Sequence, residues 1–148
     1  FNLETMGGGQ GAIYTESTLQ GNKMRLDGID VFNYSVQFVP NNIKSLLSHV
    51  HYDLKYPDAF IFHQANQLII EHIRKSMKVD SEKVPYSLYE YGNTASASIP
   101  LTITTELANV PEKNGYLLLC GFGVGFSIGS ALIKFDRNTI LQPINVPL

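Results

Sequence analysis

Apolar residues recur at intervals of three and four positions in three stretches of the chain, and this spacing predicts amphipathic helical segments. The first stretch follows a possible helix cap at Asp27 or Asp30, and the third covers residues 66–78. Pro40, between the first and second stretches, is expected to start a new helical segment or to kink the old one. The apolar positions are Val31, Phe32, Val36 and Val39 in the first stretch, Ile43, Leu46, Leu47 and Val50 in the second, and Ile69, Ile73 and Met77 in the third.

Short apolar or β-branched runs predict strands at residues 1–5, 12–16, 59–62, 115–120 and 126–135. The first two runs flank the glycine-rich loop Gly7–Gly11, which suggests a hairpin at the start of the chain. The last two flank Gly121–Gly125, so we expect them to be antiparallel neighbours joined at a glycine-rich bend.

Residues 89–110 combine a helical apolar stripe with a run of small side chains from Ala95 to Ser98. Small side chains allow packed backbones to approach closely, so this stretch predicts a helix in the middle of the domain. Pro100 lies too far inside it for a simple first-turn residue. Strands that alternate with helices and end in a hairpin predict an α/β layer sandwich with a mixed β-sheet.

Composition narrows the class of protein. The chain has 148 residues, of which 44% are hydrophobic and 16% charged, which fits one globular domain over residues 1–148, with a tail at 136–148 that carries no clear signal. A formal net charge of −2 gives no support for nucleic-acid binding. No apolar run approaches the roughly 18 residues that a membrane span needs, so we expect a cytoplasmic protein without membrane contact.

The chemistry-bearing residues each have a structural and a functional interpretation. His63 ends a buried strand, where a histidine is more often structural, yet ligand crevices form at the carboxyl ends of such strands. Asn93 in Gly92-Asn93-Thr94 is equally typical of a helix cap. Cys120 ends an apolar run, which favours a buried structural thiol, and as the single cysteine it excludes an internal disulfide. His49 and His51 do not share a helix face, so no metal site is predicted.

Three motifs in order carry a family resemblance: HQAN after a strand, YGNTASASIP, and GFGVGFSIGSALIKF near the end. Together they resemble the C-terminal half of β-ketoacyl-acyl-carrier-protein synthase III, over about Met24 to Phe135. The resemblance implies a thiolase-like half-domain whose other half carries a nucleophilic cysteine. It also implies that acyl-CoA and malonyl-acyl-carrier protein are condensed with loss of CO2, without a cofactor, in fatty-acid or polyketide-like biosynthesis.

The resemblance also assigns residues to roles. His63 and Asn93 match the family's donors to the thioester enolate, and the bend at Phe122, Gly123, Val124 and Gly125 matches the second oxyanion loop. Phe122 gates the acyl site or packs the hairpin. The segment that contacts the acyl-carrier protein corresponds to Gln64, Ala65, Asn66, Gln67 and Leu68, and Arg74 and Lys75 are further candidates because Leu68 replaces an expected arginine.

No residue matches the family's nucleophilic cysteine, so we expect the chain alone to be inactive. Phe1 as the first residue favours the C-terminal portion of a longer synthase, whose missing N-terminal half would be its first partner. The alternative is a non-catalytic interaction subunit with a thiolase fold. In either case the half is expected to expose an apolar face near Ala95 to Ser98 and to form a homodimer.

Overall fold

The computed structural model describes residues 1–107, 115–136, 140 and 144. The strands are β1 (Asn2–Thr5), β2 (Ile13–Thr18), β3 (Gly21–Leu26), β4 (Ala59–Phe62), β5 (Gly115–Gly123) and β6 (Ser127–Phe135). The helices are α1 (Gly28–His49), α2 (Gln67–Met77), α3 (Leu88–Tyr91) and α4 (Ser98–Thr102), and a π-helical turn (Ile103–Leu107) continues α4. The predicted strand over residues 59–62 and the helix that follows it are confirmed.

Four of the strands form one sheet in the order β1-β6-β5-β4. Strand β4 runs parallel to β5, whereas β5–β6 and β1–β6 are antiparallel. The sheet is therefore mixed and ends in an antiparallel hairpin, as the sequence predicts.

The sheet carries helices on both faces, because its strands alternate their apolar side chains. Phe60, Phe62 and Leu118 point to α1 and α2 and form the larger core with residues such as Ile43 and Ile70. The alternate residues form a smaller core with the α4 segment, made of Ala59, Ile61, Leu107 and Leu117.

Helix α1 is continuous from Gly28 to His49, so the prediction that Pro40 begins a new segment is wrong, and the alternative, a kink at Pro40, stays a prediction. The Asp27 carboxylate caps the helix by accepting hydrogen bonds from the N–H groups of Ile29 and Asp30 at 3.0 Å each. Proline removes one backbone donor and costs about 3 kcal/mol in a helix interior. Burial of the apolar stripe on both sides of Pro40 against the sheet offsets that cost.

The predicted hairpin between residues 1–5 and 12–16 is also wrong. Strand β1 pairs with β6 at the opposite end of the chain, and the contact extends through Met6 and Phe126, whose N–H and C=O groups bond reciprocally at 2.8 and 3.1 Å. Strand β2 pairs instead with β3, which the sequence analysis missed. The pairing with β6 places β1 in the main sheet, where it also contacts α1.

The single helix predicted over residues 89–110 is divided. Gly92 and Ala95 take positive φ values of 66° and 51°, which interrupt the helix between α3 and α4. Residues Ala95–Ala97 form an exposed 3-10 turn, so the expectation that this small-residue stretch lies in the middle of the domain is wrong for this chain. Residues 108–110, and most of the 136–148 tail, lie outside the described residues.

Within the described part of the chain, the search for a helix long and apolar enough to span a bilayer finds none.

Candidate active site

A cleft of about 750 Å³ opens at the carboxyl ends of β4 and β5. His63, which directly follows β4, and Asn93, from the loop after α3, both line it. The glycine-rich end of β5 forms its floor at Gly121 and Gly123, and the β2–β3 hairpin adds an apolar wall. Two polar side chains that are 30 positions apart in the sequence therefore face one compartment.

His63 is held on three sides. Its backbone N–H donates to the Cys120 carbonyl at 2.8 Å, which extends the parallel ladder one residue beyond β4. Its ring nitrogen Nδ1 lies 2.8 Å from the Ser98 hydroxyl oxygen, and its ring contacts Phe122 edge to face at a centroid distance of 5.5 Å. These contacts fix the imidazole plane.

Burial lowers the pKa of His63 below its ordinary value, although a backbone hydrogen bond with Ala95 acts in the opposite direction. Loss of solvent disfavours the charged form of a histidine. His63 is therefore neutral near pH 7 and carries a single ring proton.

Asn93 is oriented by its own loop. Its side-chain oxygen Oδ1 accepts a hydrogen bond from the Ala95 N–H at 2.9 Å. Only the oxygen of a carboxamide can accept from an N–H, so this bond also fixes where the NH2 group lies. The NH2 group makes only a long contact of 3.5 Å with the Ala65 carbonyl and can donate elsewhere. The side-chain oxygen of Asn93 therefore caps the backbone at Ala95, and the NH2 group of the same side chain can donate to a ligand.

The predicted carrier-contact segment divides into buried and exposed residues. Gln64 has no exposed surface; its NH2 group donates to the Phe62 carbonyl at 2.9 Å, and its oxygen accepts from the Leu88 N–H at 3.3 Å. A side chain without exposed surface cannot contact a second protein, so the carrier-contact prediction is wrong for the Gln64 side chain. Asn66 caps α2 by accepting from the Ile69 N–H, whereas Gln67 and Leu68 are exposed.

Arg74 and Lys75 also differ. The Arg74 guanidinium binds both carboxylate oxygens of Glu71, at 3.0 and 2.9 Å, and donates to the Val79 carbonyl at 2.7 Å. These bonds stabilise the C-terminal end of α2. Lys75 is largely exposed and lies 3.7 Å from the Glu71 carboxylate. Of these two predicted carrier contacts, Lys75 has the accessible charge.

The bend between β5 and β6 places its four predicted residues in different environments. Phe122 is only 8% exposed and belongs to the larger core, which favours its packing role. Gly125 takes the positive φ of 135° in this turn, and Val124 is not among the residues with positive φ. Val124 is 65% exposed and lines the cleft with Gly123.

Sequence reasoning missed two parts of the cleft. Ser98, which holds the imidazole, was included only among the small residues of a helix. The apolar wall is formed by Ile13, Met24 and Leu26, which share one face of the β2–β3 hairpin. The alternation of Lys23, Met24, Arg25 and Leu26 after Gly21, which takes a φ of 109°, is the signal for that hairpin.

Cys120 is fully buried on the face of β5 that packs against α1 and α2. Burial raises the pKa of its thiol, which disfavours the reactive thiolate. The single cysteine of the chain is structural, as predicted.

Solved structures of similar shape include a 3-oxoacyl-(acyl-carrier protein) synthase from Burkholderia xenovorans LB400, with a TM-score of 0.84, 32% identity, and coverage of 95% of this chain and 45% of the other. A 3-oxoacyl-(acyl carrier protein) synthase III from Pseudomonas aeruginosa PAO1 gives a TM-score of 0.83 at 27% identity, with 99% and 44% covered. The fold and the cleft therefore define a thiolase-like α/β domain.

Curated relatives identify the family. A β-ketoacyl-[acyl-carrier-protein] synthase III from Streptococcus thermophilus is 36% identical over 125 residues, which cover 82% of this chain and 38% of that protein. The same-named protein of Prochlorococcus marinus (strain MIT 9301) is 35% identical over 113 residues, or 76% and 34%. Residues 47–135 match the family of 3-oxoacyl-[acyl-carrier-protein (ACP)] synthase III C-terminal domains. The chain belongs to this family and spans under half the length of these relatives.

Proposed function

We propose that this chain supplies the decarboxylation half of a 3-oxoacyl-[acyl-carrier-protein] synthase III active site. The complete reaction joins an acyl group, taken from acyl-CoA by a cysteine, to malonyl-acyl-carrier protein with release of CO2. The observation that carries the proposal is that the His63 imidazole and the Asn93 carboxamide line one cleft, where the Asn93 NH2 group has a long contact of 3.5 Å with the Ala65 carbonyl.

The chemistry of decarboxylation requires such a pair. When the carboxylate of a malonyl thioester leaves as CO2, the electron pair of the broken C–C bond moves into the thioester and forms an enolate. Hydrogen-bond donors aimed at that oxygen stabilise the developing charge, and one such donor is worth about 3–4 kcal/mol in the barrier. The Asn93 NH2 group has the required character, and so does a His63 imidazole that directs an N–H group into the cleft. No cofactor is needed, because CO2 release itself generates the carbon nucleophile.

The acyl-accepting cysteine must come from outside these 148 residues. Cys120 is the single cysteine and is buried away from the cleft. The chain spans only 38% and 34% of the Streptococcus and Prochlorococcus relatives, so an N-terminal half that carries the cysteine is the first proposed partner. A homodimer of the complete protein is the second.

The proposed carrier contact is the exposed side of α2, with Gln67 and Leu68 in its first turn and Lys75 as its cation in the last turn. Leu68 is 60% exposed at this surface. An acidic carrier protein would gain from Lys75 mainly in its rate of association. A CoA-bound extender fits the same cleft, and comparing malonyl-carrier protein with malonyl-CoA separates the two.

A second candidate function is that of a non-catalytic interaction subunit. It is favoured by the lack of an accessible thiol and by exposed apolar side chains at Phe1, Leu3, Met24 and Leu26. Such a subunit would bind a catalytic partner but would release no CO2 from malonyl thioesters.

The test uses the complete natural protein, whether or not it extends beyond these residues, and measures acyl transfer and malonyl decarboxylation separately. His63→Ala is expected to reduce decarboxylation about 10²–10³-fold, as loss of one oxyanion donor does, and to leave acyl transfer within a few-fold. His49→Ala, which removes an exposed histidine at the end of α1, is the matched control and should change neither step.

Equal losses of both steps in His63→Ala would show a structural role for the histidine. An unmodified protein that releases no CO2 but still binds a synthase partner would support the interaction subunit instead.

A further inference from the structure

Gln64 bonds to both ends of the segment that carries Asn93. Its side-chain oxygen accepts a hydrogen bond from the Leu88 N–H at 3.3 Å, and its backbone N–H donates to the Ser98 hydroxyl oxygen at 3.2 Å. The Ser98 hydroxyl gives its own proton to the Ala95 carbonyl at 2.8 Å, so it is an acceptor towards Gln64. Asn93 lies midway between Leu88 and Ser98 in the sequence. Gln64 therefore holds the two ends of the Asn93 segment together.

The other half of the Gln64 carboxamide is bonded to the strand that leads to His63. Its NH2 group donates at 2.9 Å to the carbonyl of Phe62, the last residue of β4, and His63 lies between these two residues. The Gln64 side chain has no exposed surface, so bulk solvent does not compete for either of its bonds. One buried carboxamide thus joins the end of β4, which positions His63, to the segment that positions Asn93.

Backbone bonds extend this connection to Asn93. The Leu88 carbonyl accepts from the N–H of Gly92, the residue before Asn93, at 2.9 Å. Ser87, at the cap position of α3, makes no side-chain hydrogen bond to the first N–H groups of this helix, because its hydroxyl bonds to α4 instead. Gln64 therefore supplies an acceptor that the N-terminal end of α3 would otherwise lack.

We propose that Gln64 is a positioning residue that sets the separation and relative orientation of His63 and Asn93. Stabilisation of an enolate by two donors depends on geometry, because both N–H groups must reach one oxygen. A displacement of about 1 Å is enough to cost about 10²-fold in rate. The importance for CO2 release rests on the proposed function, whereas the effect on the Asn93 segment is a property of the folded protein.

The first test measures acyl transfer and malonyl decarboxylation separately in Gln64→Met, in the complete natural protein. Methionine fills a similar volume but forms neither side-chain bond, so kcat for decarboxylation should fall by about 10²-fold, while KM for the malonyl thioester stays within about threefold. Acyl transfer should change by only a few-fold, because it does not use the two donors. Equal losses in both steps would show a general loss of structure and overturn the positioning role.

Ser130→Ala is the matched control, because it also removes a buried, hydrogen-bonded side chain. The Ser130 hydroxyl donates to the Asn42 side-chain oxygen at 2.6 Å, between β6 and α1, and neither residue lines the cleft. This variant should lose stability as Gln64→Met does, yet keep the unmodified ratio of decarboxylation to acyl transfer. A ratio that falls equally in both variants would assign the effect to stability and contradict the proposal.

Hydrogen exchange gives a measurement that does not depend on catalysis. In the unmodified protein two amides should exchange at least about tenfold more slowly than in an unstructured peptide: the Leu88 N–H, which bonds to Gln64, and the Ala95 N–H, which bonds to Asn93 Oδ1 at 2.9 Å. In Gln64→Met both should approach the unstructured rate, while the amides of β5 and β6 remain protected.

A Leu88 N–H without protection in the unmodified protein would overturn the proposal before any variant is made. Unchanged protection of the Ala95 N–H in Gln64→Met would overturn it as well, because Asn93 would then keep its place without the bridge. A failure of the proposed function has a different signature: the unmodified protein would release no CO2 from malonyl thioesters, and the exchange rates would still show whether Gln64 positions Asn93.

Discussion

The two segments that supply the cleft use their polar side chains differently. In residues 63–75 most polar groups form bonds within the fold, and only His63 turns into the cleft. The bonded side chains include those of Gln64, Asn66, Glu71, His72 and Arg74. Residues 92–98 are more exposed, and Asn93 and Ser98 both line the cleft.

The difference shows that a polar motif does not have one role throughout. The cluster His63-Gln64-Ala65-Asn66 joins β4 to α2, and two of its three polar side chains satisfy backbone groups that the junction would otherwise leave unpaired. The loop at Asn93 needs fewer such bonds because solvent reaches its backbone. The buried segment fixes the geometry, and the exposed one presents more of its side chains to a ligand.

The largest predicted effect is that of Asn93→Asp. The carboxylate can still accept from the Ala95 N–H, so the loop should be retained, but it replaces the NH2 donor with a negative oxygen facing an enolate. Malonyl decarboxylation is expected to fall by at least 10²–10³-fold, or about 3–4 kcal/mol in the barrier, while circular dichroism and thermal stability stay close to those of the unmodified protein.

Asn66→Asp is the matched control for stability, because Asn66 also uses Oδ1 to accept a backbone N–H, from Ile69 at 2.8 Å. Aspartate caps a helix as well as asparagine does, so stability should change by only a few tenths of a kcal/mol. A decarboxylation rate in Asn93→Asp within tenfold of the unmodified protein would refute the donor role of Asn93.

The sequence predicts the elements whose signal is local. The strand at 59–62, the α2 helix and the final hairpin follow from apolar runs, caps and the glycines of the bend. The prediction failed where the outcome depends on distant parts of the chain. Strand β1 could pair with its neighbour or with β6, and its pairing with β6 joins it to the main sheet beside α1. Pro40 likewise breaks an isolated helix but not one whose stripe is buried on both sides.

Motif order indicates His63 and Asn93, and the structure brings both side chains to one cleft. It could not indicate Ser98, because a serine among small residues has the same pattern whether it packs or bonds to an imidazole 35 positions away. It also could not separate Gln64 from Gln67, since adjacent polar residues at a helix start differ only in the direction of their side chains.

The second largest predicted effect is the loss of stability in Gln64→Met, which tests the contrast between the buried Gln64 and the exposed Gln67. Methionine conserves the volume of the buried side chain but leaves the Phe62 carbonyl and the Leu88 N–H without their partner. An unsatisfied buried group costs about 1–3 kcal/mol, so we expect about 2–3 kcal/mol of destabilisation in urea denaturation. Gln67→Met, on the exposed side of the same junction, should change stability by less than about 0.5 kcal/mol. Equal effects of the two variants would contradict the division into buried and exposed roles.

The smallest predicted effect concerns Glu71. Its carboxylate binds the Arg74 guanidinium and so keeps it from binding a carrier protein. Hydrogen bonds from Arg74 and then from Tyr86 lower the pKa of Glu71 to about 2. A carboxylate whose folded-state pKa is depressed stabilises the fold above its unfolded-state pKa of about 4.3 and loses this contribution as the pH falls towards 2. The Glu71→Gln variant should therefore be less stable than the unmodified protein at pH 6, by about 1 kcal/mol because the network is partly exposed, and the difference should shrink towards pH 2.

Glu82→Gln, at an exposed carboxylate, should show a difference near zero at both pH values. Urea denaturation of the three proteins at several pH values decides the matter: a Glu71→Gln difference that is constant with pH would mean that the carboxylate does not hold Arg74, and the guanidinium would then be free for a carrier protein.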